Sequence, residues 1–309
     1  MTHGRALVTG GAGFIGSHLV DLLVDLGHAV RVLDDVSTGR RDNLRDDVEL
    51  VEGSVADPSA ARTAVDGADV VFHLGALGAV ARSVEDPLPT DIANVHGTLA
   101  VLHAAKDAGA RRFVFASSSS VYGGAEQLPT PETAPLVPRS PYAVSKLAGE
   151  HYCRVFTELF GFETVALRFF NVYGPRQRPD SIYAAVVPRF VTAMLAGESP
   201  VVHGDGEQSR DFTFVRDVCE ALVAASDVPA ERCAGRAFNV AGGRRHSLID
   251  LLAILAEVIG TSVEAIHGPP RPGDVRHSQA DVTALARDIG YECRTDFPSG
   301  VRATVDALR

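Results

Sequence analysis

The sequence predicts an α/β chain, a doubly wound parallel sheet followed by a smaller mixed α/β lobe. Short β-branched runs alternate with longer amphipathic segments through the first half, a rhythm that calls for parallel strands covered by helices on both faces. After Gly174 the elements shorten, with Pro175, Pro179, Pro188, Pro200, Pro269, Pro270 and Pro272 punctuating the chain, which marks a loop-rich lobe. The length of 309 residues exceeds the usual single-core limit of about 250, so one large and one smaller unit are expected.

Strands are predicted near 6–9, 30–33, 49–52, 70–73, 113–116 and 164–169. Between the first two, Ile15, Leu19, Leu22, Leu23 and Leu26 form one apolar stripe at helical spacing across 14–26, which completes a βαβ unit. Helices are also predicted over 92–108 and 141–160, with Gly27, Gly109 and Gly161 where C-caps are expected. These elements place a larger unit in 1–174 and a smaller lobe in 175–309, with a strand near 237–240 returning to the large sheet.

Charge and cysteine content exclude several function classes. With 29 basic and 39 acidic residues the formal net charge is −10, which repels nucleic acid and anionic lipid, so a phosphate ligand must be met by local arginines and backbone amides. Cys153, Cys219, Cys233 and Cys293 include no CxxC pair and no nearby histidine at ligand spacing, so no metal site is expected and a reducing cytosol is. No apolar stretch reaches about 18 residues, so a cytoplasmic chain that does not span a membrane is expected.

The first strand runs into Gly10-Gly11-Ala12-Gly13-Phe14-Ile15-Gly16. Glycines there allow backbone to approach a pyrophosphate, and the exposed amides of the following helix attract its charge. The reading is therefore a Rossmann dinucleotide site. Asp34 ends the second strand, 18 residues beyond Gly16, where a carboxylate accepts from ribose hydroxyls and repels an extra phosphate. NAD is the expected cofactor, although Arg40 and Arg41 leave a 2′-phosphate site open.

Tyr142 and Lys146 lie four residues apart after Pro141 and so share a helix face. A phenol with a pKa near 10 is a poor base at neutral pH. The expectation is that the lysine ammonium and a nicotinamide cation lower it by about three units, which requires roughly 4 kcal/mol. Tyr142 could then move a proton to or from a substrate hydroxyl.

Together with the serine run 117–120, His73-Leu74-Gly75-Ala76, the segment 168–174, the segment 204–211 and Arg271-Pro272-Gly273-Asp274, these residues resemble the extended short-chain dehydrogenase/reductases. Within them the likeness is to the NAD-dependent nucleotide-sugar epimerases of the UDP-glucose 4-epimerase type, and it runs over essentially the whole chain. The resemblance implies Tyr142 as catalytic base, Lys146 as its electrostatic partner and a ribose ligand, and Ser118 as the hydroxyl that meets the sugar 4-OH. Ser118 stands four residues before Tyr122 in the family's Ser-Ser-Val-Tyr-Gly register, with Ser119 and Ser120 beside it.

For the cofactor, the resemblance implies Gly10, Gly13, Phe14, Ile15 and Gly16 at the loop, then Asp34, Asp35, Ser37, Thr38 and Gly39 at the ribose. It adds Ser54 and Val55 near the adenine, and Leu74, Gly75, Ala76, Asn94, Phe169 and Val172 farther along. For a nucleotide-sugar substrate, a UDP-sugar first of all, it implies Asn171, Arg210 and Arg271 at the pyrophosphate and Asp274 at the ribose. Val186, Val187 and His203 would hold the base. Ser278 occupies a position beside the sugar 2-substituent, and its small size implies room for an N-acetyl group.

The same register separates reactions. Family members that eliminate water carry Asp-Glu after the catalytic hydroxyl, and those that decarboxylate typically carry Glu before Val-Tyr-Gly; here Ser119 and Ser120 stand in those places. A 4-epimerase working through a transient 4-keto sugar is expected, with a sugar-nucleotide dehydratase, a uronate 4-epimerase or a non-catalytic NAD-binding regulator as alternatives. Two departures are visible. Ser54 replaces an aspartate that commonly meets the adenine, and Gly78 a lysine found in some epimerases. The resemblance also implies a homodimer through a four-helix interface that includes 92–108 and 141–160.

Overall fold

The computed structural model describes residues 4–179, 185–261, 264–270 and 275–309. Seven strands form one parallel sheet: β1 (Arg5–Thr9), β2 (Ala29–Asp34), β3 (Glu49–Glu52), β4 (Ala68–His73), β5 (Arg112–Ser118), β6 (Glu163–Phe169) and β7 (Arg236–Val240). Their order is β7-β6-β5-β4-β1-β2-β3. The chain moves outward from β1 to β3, then returns to lay β4 on the other side of β1. That reversal leaves a crevice beyond the carboxyl ends of the strands, where ligands bind in open α/β sheets.

Alternation along the strands decides which layer each residue enters. In β1, Ala6 and Val8 face the core built with α1 (Phe14–Asp25), while Leu7 faces the opposite layer of α2 (Pro58–Val65), α3 (Gly97–Asp107) and α4 (Pro141–Phe160). In β5, Val114 and Ala116 point one way and Phe113 and Phe115 the other. Burial on both faces explains why these strands read as continuous apolar runs.

Two elements depart from the expected bounds in ways that matter for the site. β5 extends past residue 116, because Ser117 and Ser118 still pair with Arg168 and Phe169 of β6. The helix expected over 92–108 begins at Pro87 and passes through a π turn at Ile92–His96 before α3. Such a turn inserts one extra residue, which swings Asn94 inward. Gly27, Gly109 and Gly161 all take positive φ, 86°, 75° and 64°, the left-handed geometry of a helix C-cap.

After Gly174 the helices α5 (Val186–Leu195), α6 (Val215–Asp227), α7 (Leu248–Ile259) and α8 (Phe297–Asp306) follow. α6 joins the core beside α1, whereas α5, α7 and α8 enclose a separate one around Phe190, Leu251, Phe297 and Val301. Short strand pairs connect this second core to the crevice: Val172–Tyr173 with Thr213–Phe214, Ser209–Asp211 with Arg245–Ser247, and Val201–His203 with Ile266–Gly268. Among the described residues no helix is long and apolar enough to cross a membrane.

Candidate active site

The crevice begins as a cleft of about 580 Å³ above β1, β2, β4 and β5, within the usual range for ligand sites. Its floor is the glycine loop. Gly10 has φ of 70°, and a Cβ built on Gly16 would lie 2.1 Å from the Gly10 carbonyl oxygen, so neither position accepts a side chain without rearrangement. Gly10, Gly13, Phe14, Ile15 and Gly16 all line the cleft.

Asp34 is buried, and its two oxygens accept from the amides of Ala12 at 2.9 Å and Val36 at 2.8 Å. It therefore pins the loop as well as facing the cleft, and each oxygen retains a lone pair for a hydroxyl. Burial pushes this carboxyl upward, and the two amide hydrogen bonds act against that. Asp35, Ser37, Thr38 and Gly39 continue the wall, and Asp35 accepts from both the amide and the hydroxyl of Ser37. Of the two arginines considered for a 2′-phosphate, Arg40 lines the cleft and Arg41 pairs with Glu52.

Ser54, Val55, Leu74, Gly75 and Ala76 close the far side, and Phe169 and Val172 the near end. Asn94 does not line the cleft. Its Oδ1 accepts from the Leu77 amide at 2.8 Å, and its Nδ2 donates to the Leu77 carbonyl and to Ser145 Oγ. Asn94 thus braces the loop after β4, with the π turn directing its side chain into the protein.

The catalytic candidates converge where this cleft meets the second lobe. Ser140 caps α4, accepting from the Ala143 amide at 3.1 Å, and Pro141 occupies the first turn, where its missing N–H costs nothing. A Cβ on Gly149 would sit 2.4 Å from Cζ of Phe115, so that glycine lets α4 lie directly on β5. As a result Lys146, almost fully buried, donates from Nζ to the Ala116 carbonyl at 2.8 Å and lies 5.9 Å from the centre of the Tyr142 ring. Ser118, at the end of β5, hydrogen-bonds the Tyr142 phenol.

Burial shapes the electrostatics of the pair. Burial is the dominant influence on Tyr142 and pushes its phenol up, with the Ser118 hydrogen bond pulling the other way. Burial brings Lys146 down to about 8, so it remains largely cationic at neutral pH. The Ala116 carbonyl fixes the ammonium of Lys146 without neutralising it, so its charge stays 5.9 Å from the centre of the Tyr142 ring.

Two further cavities open from the cleft. One, of about 270 Å³, is lined by Val186, Val187, His203 and Arg210. The other, of about 400 Å³, is lined by Ser119, Ser120, Arg210 and Ser278. Asn171 lines all three spaces. It is held there at a φ of 35° with Nδ2 donating to the Asp211 carbonyl at 3.2 Å, a conformation that non-glycine residues rarely adopt. Arg271 and Asp274 lie outside the described residues. Sequence reasoning missed Gln208, Arg139 and His277, which line these cavities; only their adjacency to Ser209-Arg210, Ser140 and Ser278 could have pointed to them.

Residues 6–241 match the model of the NAD dependent epimerase/dehydratase family. UDP-glucose 4-epimerase of Mycolicibacterium smegmatis is 40% identical, over 99% of this chain and 98% of its own length. Among solved structures, the UDP-N-acetylglucosamine 4-epimerase of Methanobrevibacter ruminantium, in complex with UDP-N-acetylmuramic acid, superposes with a TM-score of 0.94 at 38% identity, covering 100% of this chain and 99% of that one. The UDP-glucose 4-epimerase of Thermus thermophilus in complex with NAD gives 0.88 at 36% identity, over 98% of each chain. With a glycine loop that excludes side chains and a phenol, a lysine and a serine hydroxyl at the mouth of its cleft, this chain belongs to the NAD-dependent epimerase/dehydratase family.

Proposed function

We propose that this chain interconverts the C4 epimers of a UDP-hexose. The observation that carries this reading is the meeting of Ser118, Tyr142 and Lys146 at the junction of the cleft with a second cavity whose described lining contains no aspartate or glutamate. Dehydration and decarboxylation by this family need an acid beside the catalytic hydroxyl, and Ser119 and Ser120 offer none. The residues along the cleft suit NAD, because the missing side chain at Gly16 lets the helix start close against the glycine loop and Asp34 retains lone pairs for ribose hydroxyls.

NAD, when bound, supplies a cationic nicotinamide that accepts the C4 hydride and returns it. Tyr142 takes the 4-hydroxyl proton and gives it back, while Ser118 holds that hydroxyl in line and favours the phenolate. Lys146 contributes a fixed positive charge nearby. Arg210 and Asn171, together with Arg271, hold the pyrophosphate, and Asp274 the ribose, while the sugar turns to present its other face. Val186, Val187 and His203 enclose the base. On this reading residues 1–174, rejoined by the strand near 237–240, serve the cofactor, and 175–309 the sugar nucleotide.

The test is a product scan over UDP-, dTDP-, CDP- and GDP-sugars. An isomer of equal mass supports the proposal; loss of water, or no turnover, rejects it. Ser278 stands with Gly123, Gly124 and Ala125 in the 400 Å³ cavity, room enough for an N-acetyl group, so UDP-N-acetylglucosamine should also turn over. A second reading, a uronic sugar, draws on Arg139, which lines the same cavity and forms no ion pair among the described residues. Arg139→Ala should then lower kcat/KM for UDP-glucuronate and leave UDP-glucose unchanged.

A homodimer completes the proposal. Leu88, Ile92, Leu159 and Phe160 are 70%, 55%, 71% and 56% exposed on neighbouring helical segments, an apolar face of the kind that marks an interface. Leu159→Glu should convert a dimer to a monomer in native mass measurement; a monomeric parent protein would reject it. Four unpaired thiols suit a cytoplasmic location, which cell fractionation would check.

A further inference from the structure

Beneath the reactive face of α4 runs a chain of buried polar groups that proton transfer does not use. Glu150 follows Tyr142 and Lys146 at the same four-residue interval, so it too faces the sheet. Its Oε1 accepts from Ser117 Oγ at 2.5 Å and from Arg168 Nε at 2.9 Å, and its Oε2 from Arg168 Nη2 at 2.7 Å. The two side chains are only 7% and 5% exposed. Nη1 of Arg168 donates to the Tyr122 hydroxyl at 2.8 Å, which donates to Asn239 Oδ1 at 2.7 Å. Asn239 Nδ2 in turn donates to the carbonyls of Thr130 and Asp281, and Thr130 lines the cavity that also holds Ser278.

Stability does not account for this arrangement, since apolar residues of similar volume often serve a core as well as a buried ion pair. The pair adds direction. A guanidinium donates along fixed axes, and Ser117 immediately precedes Ser118 on β5. The Ser117–Glu150 bond therefore sets how far α4 slides along that strand. We infer that Glu150 and Arg168 are positioning residues that hold the Tyr142 phenol in hydrogen-bond reach of Ser118. Through Tyr122 and Asn239 they tie that distance to the wall of the sugar cavity. The inference rests on the 4-epimerase reading of the site.

The double variant Glu150→Leu/Arg168→Met tests it, because it leaves no unpaired buried charge. Expected is a folded protein with unchanged KM for UDP-glucose and unchanged bound NAD, but with kcat lowered about tenfold or more, toward the roughly hundredfold loss that a 1 Å displacement can produce. Amide hydrogen exchange over 142–146 should rise. A folded double variant with wild-type kcat and wild-type exchange overturns the inference. If that variant does not fold, Ser117→Ala removes the register contact without burying a charge: kcat should fall about threefold at constant KM, and an unchanged kcat overturns it. Wild-type turnover in the same assay separates the two claims. Without it the functional reading fails, while the exchange comparison still judges the pair.

Discussion

The cofactor cleft and the sugar-nucleotide cavities are built differently. The cleft takes its residues from the ends of consecutive strands and the loops after them, and several contacts are made by backbone or by the absence of a side chain. The cavities draw on segments around 171, 186, 203, 210 and 278, joined by strand pairs of two or three residues. A site made from regular elements can be read from period and glycine placement; a site assembled from scattered loops cannot.

The sharpest way to break this contrast is at the junction. Tyr142→Phe should lower turnover by about a thousandfold, within the range for loss of a positioned acid–base group, yet retain NAD; full activity would refute the assignment. Gly16→Ala comes next. Its Cβ would meet the Gly10 carbonyl at 2.1 Å, so NAD affinity should fall about a hundredfold, roughly 2.7 kcal/mol, while binding of UDP stays near normal. Equal losses at both ligands would show that cleft and cavities are not separable.

The smallest effect is a pH dependence in the second lobe. Asp211 is fully buried, accepts from the Ala280 amide at 3.0 Å, and is pushed up to about 7 by burial, with backbone amides opposing. Because its folded pKa is raised, the folded state binds the extra proton between about 4 and 7. Its stabilising contribution is thus full below about pH 4 and lost as pH rises through 7. Thermal melts should show stability declining over that window, and Asp211→Asn should flatten the slope; a parallel profile in the variant would contradict this.

Much of the first half was legible because burial on both faces leaves an apolar run and each crossing helix a stripe. The brace that Asn94 gives the loop after β4 was not legible, because nothing in a sequence announces a π turn, and that single inserted residue decides where the amide points. Tyr142 and Lys146 were legible as a pair, but the acidity of the phenol was not. That depends on how far packing withdraws the group from water and on where Ser118 stands. The place of Asp34 at the end of β2 and on the cleft was legible, whereas its hold on Ala12 and Val36 was not. In the second lobe, residues such as His203 and Arg210 were reached only through family likeness, since no local period distinguishes them from surface arginines and histidines.

The return of β7 to the sheet has a consequence for biosynthesis. Until residue 240 has left the ribosome, β6 presents a row of unpaired peptide groups along an apolar strand, the kind of surface that recruits other chains. A fragment ending at residue 174 would keep that border open permanently. Expressed alone it should cluster, which light scattering would register, whereas a soluble monomeric fragment would mean that the nascent border is shielded in some other way.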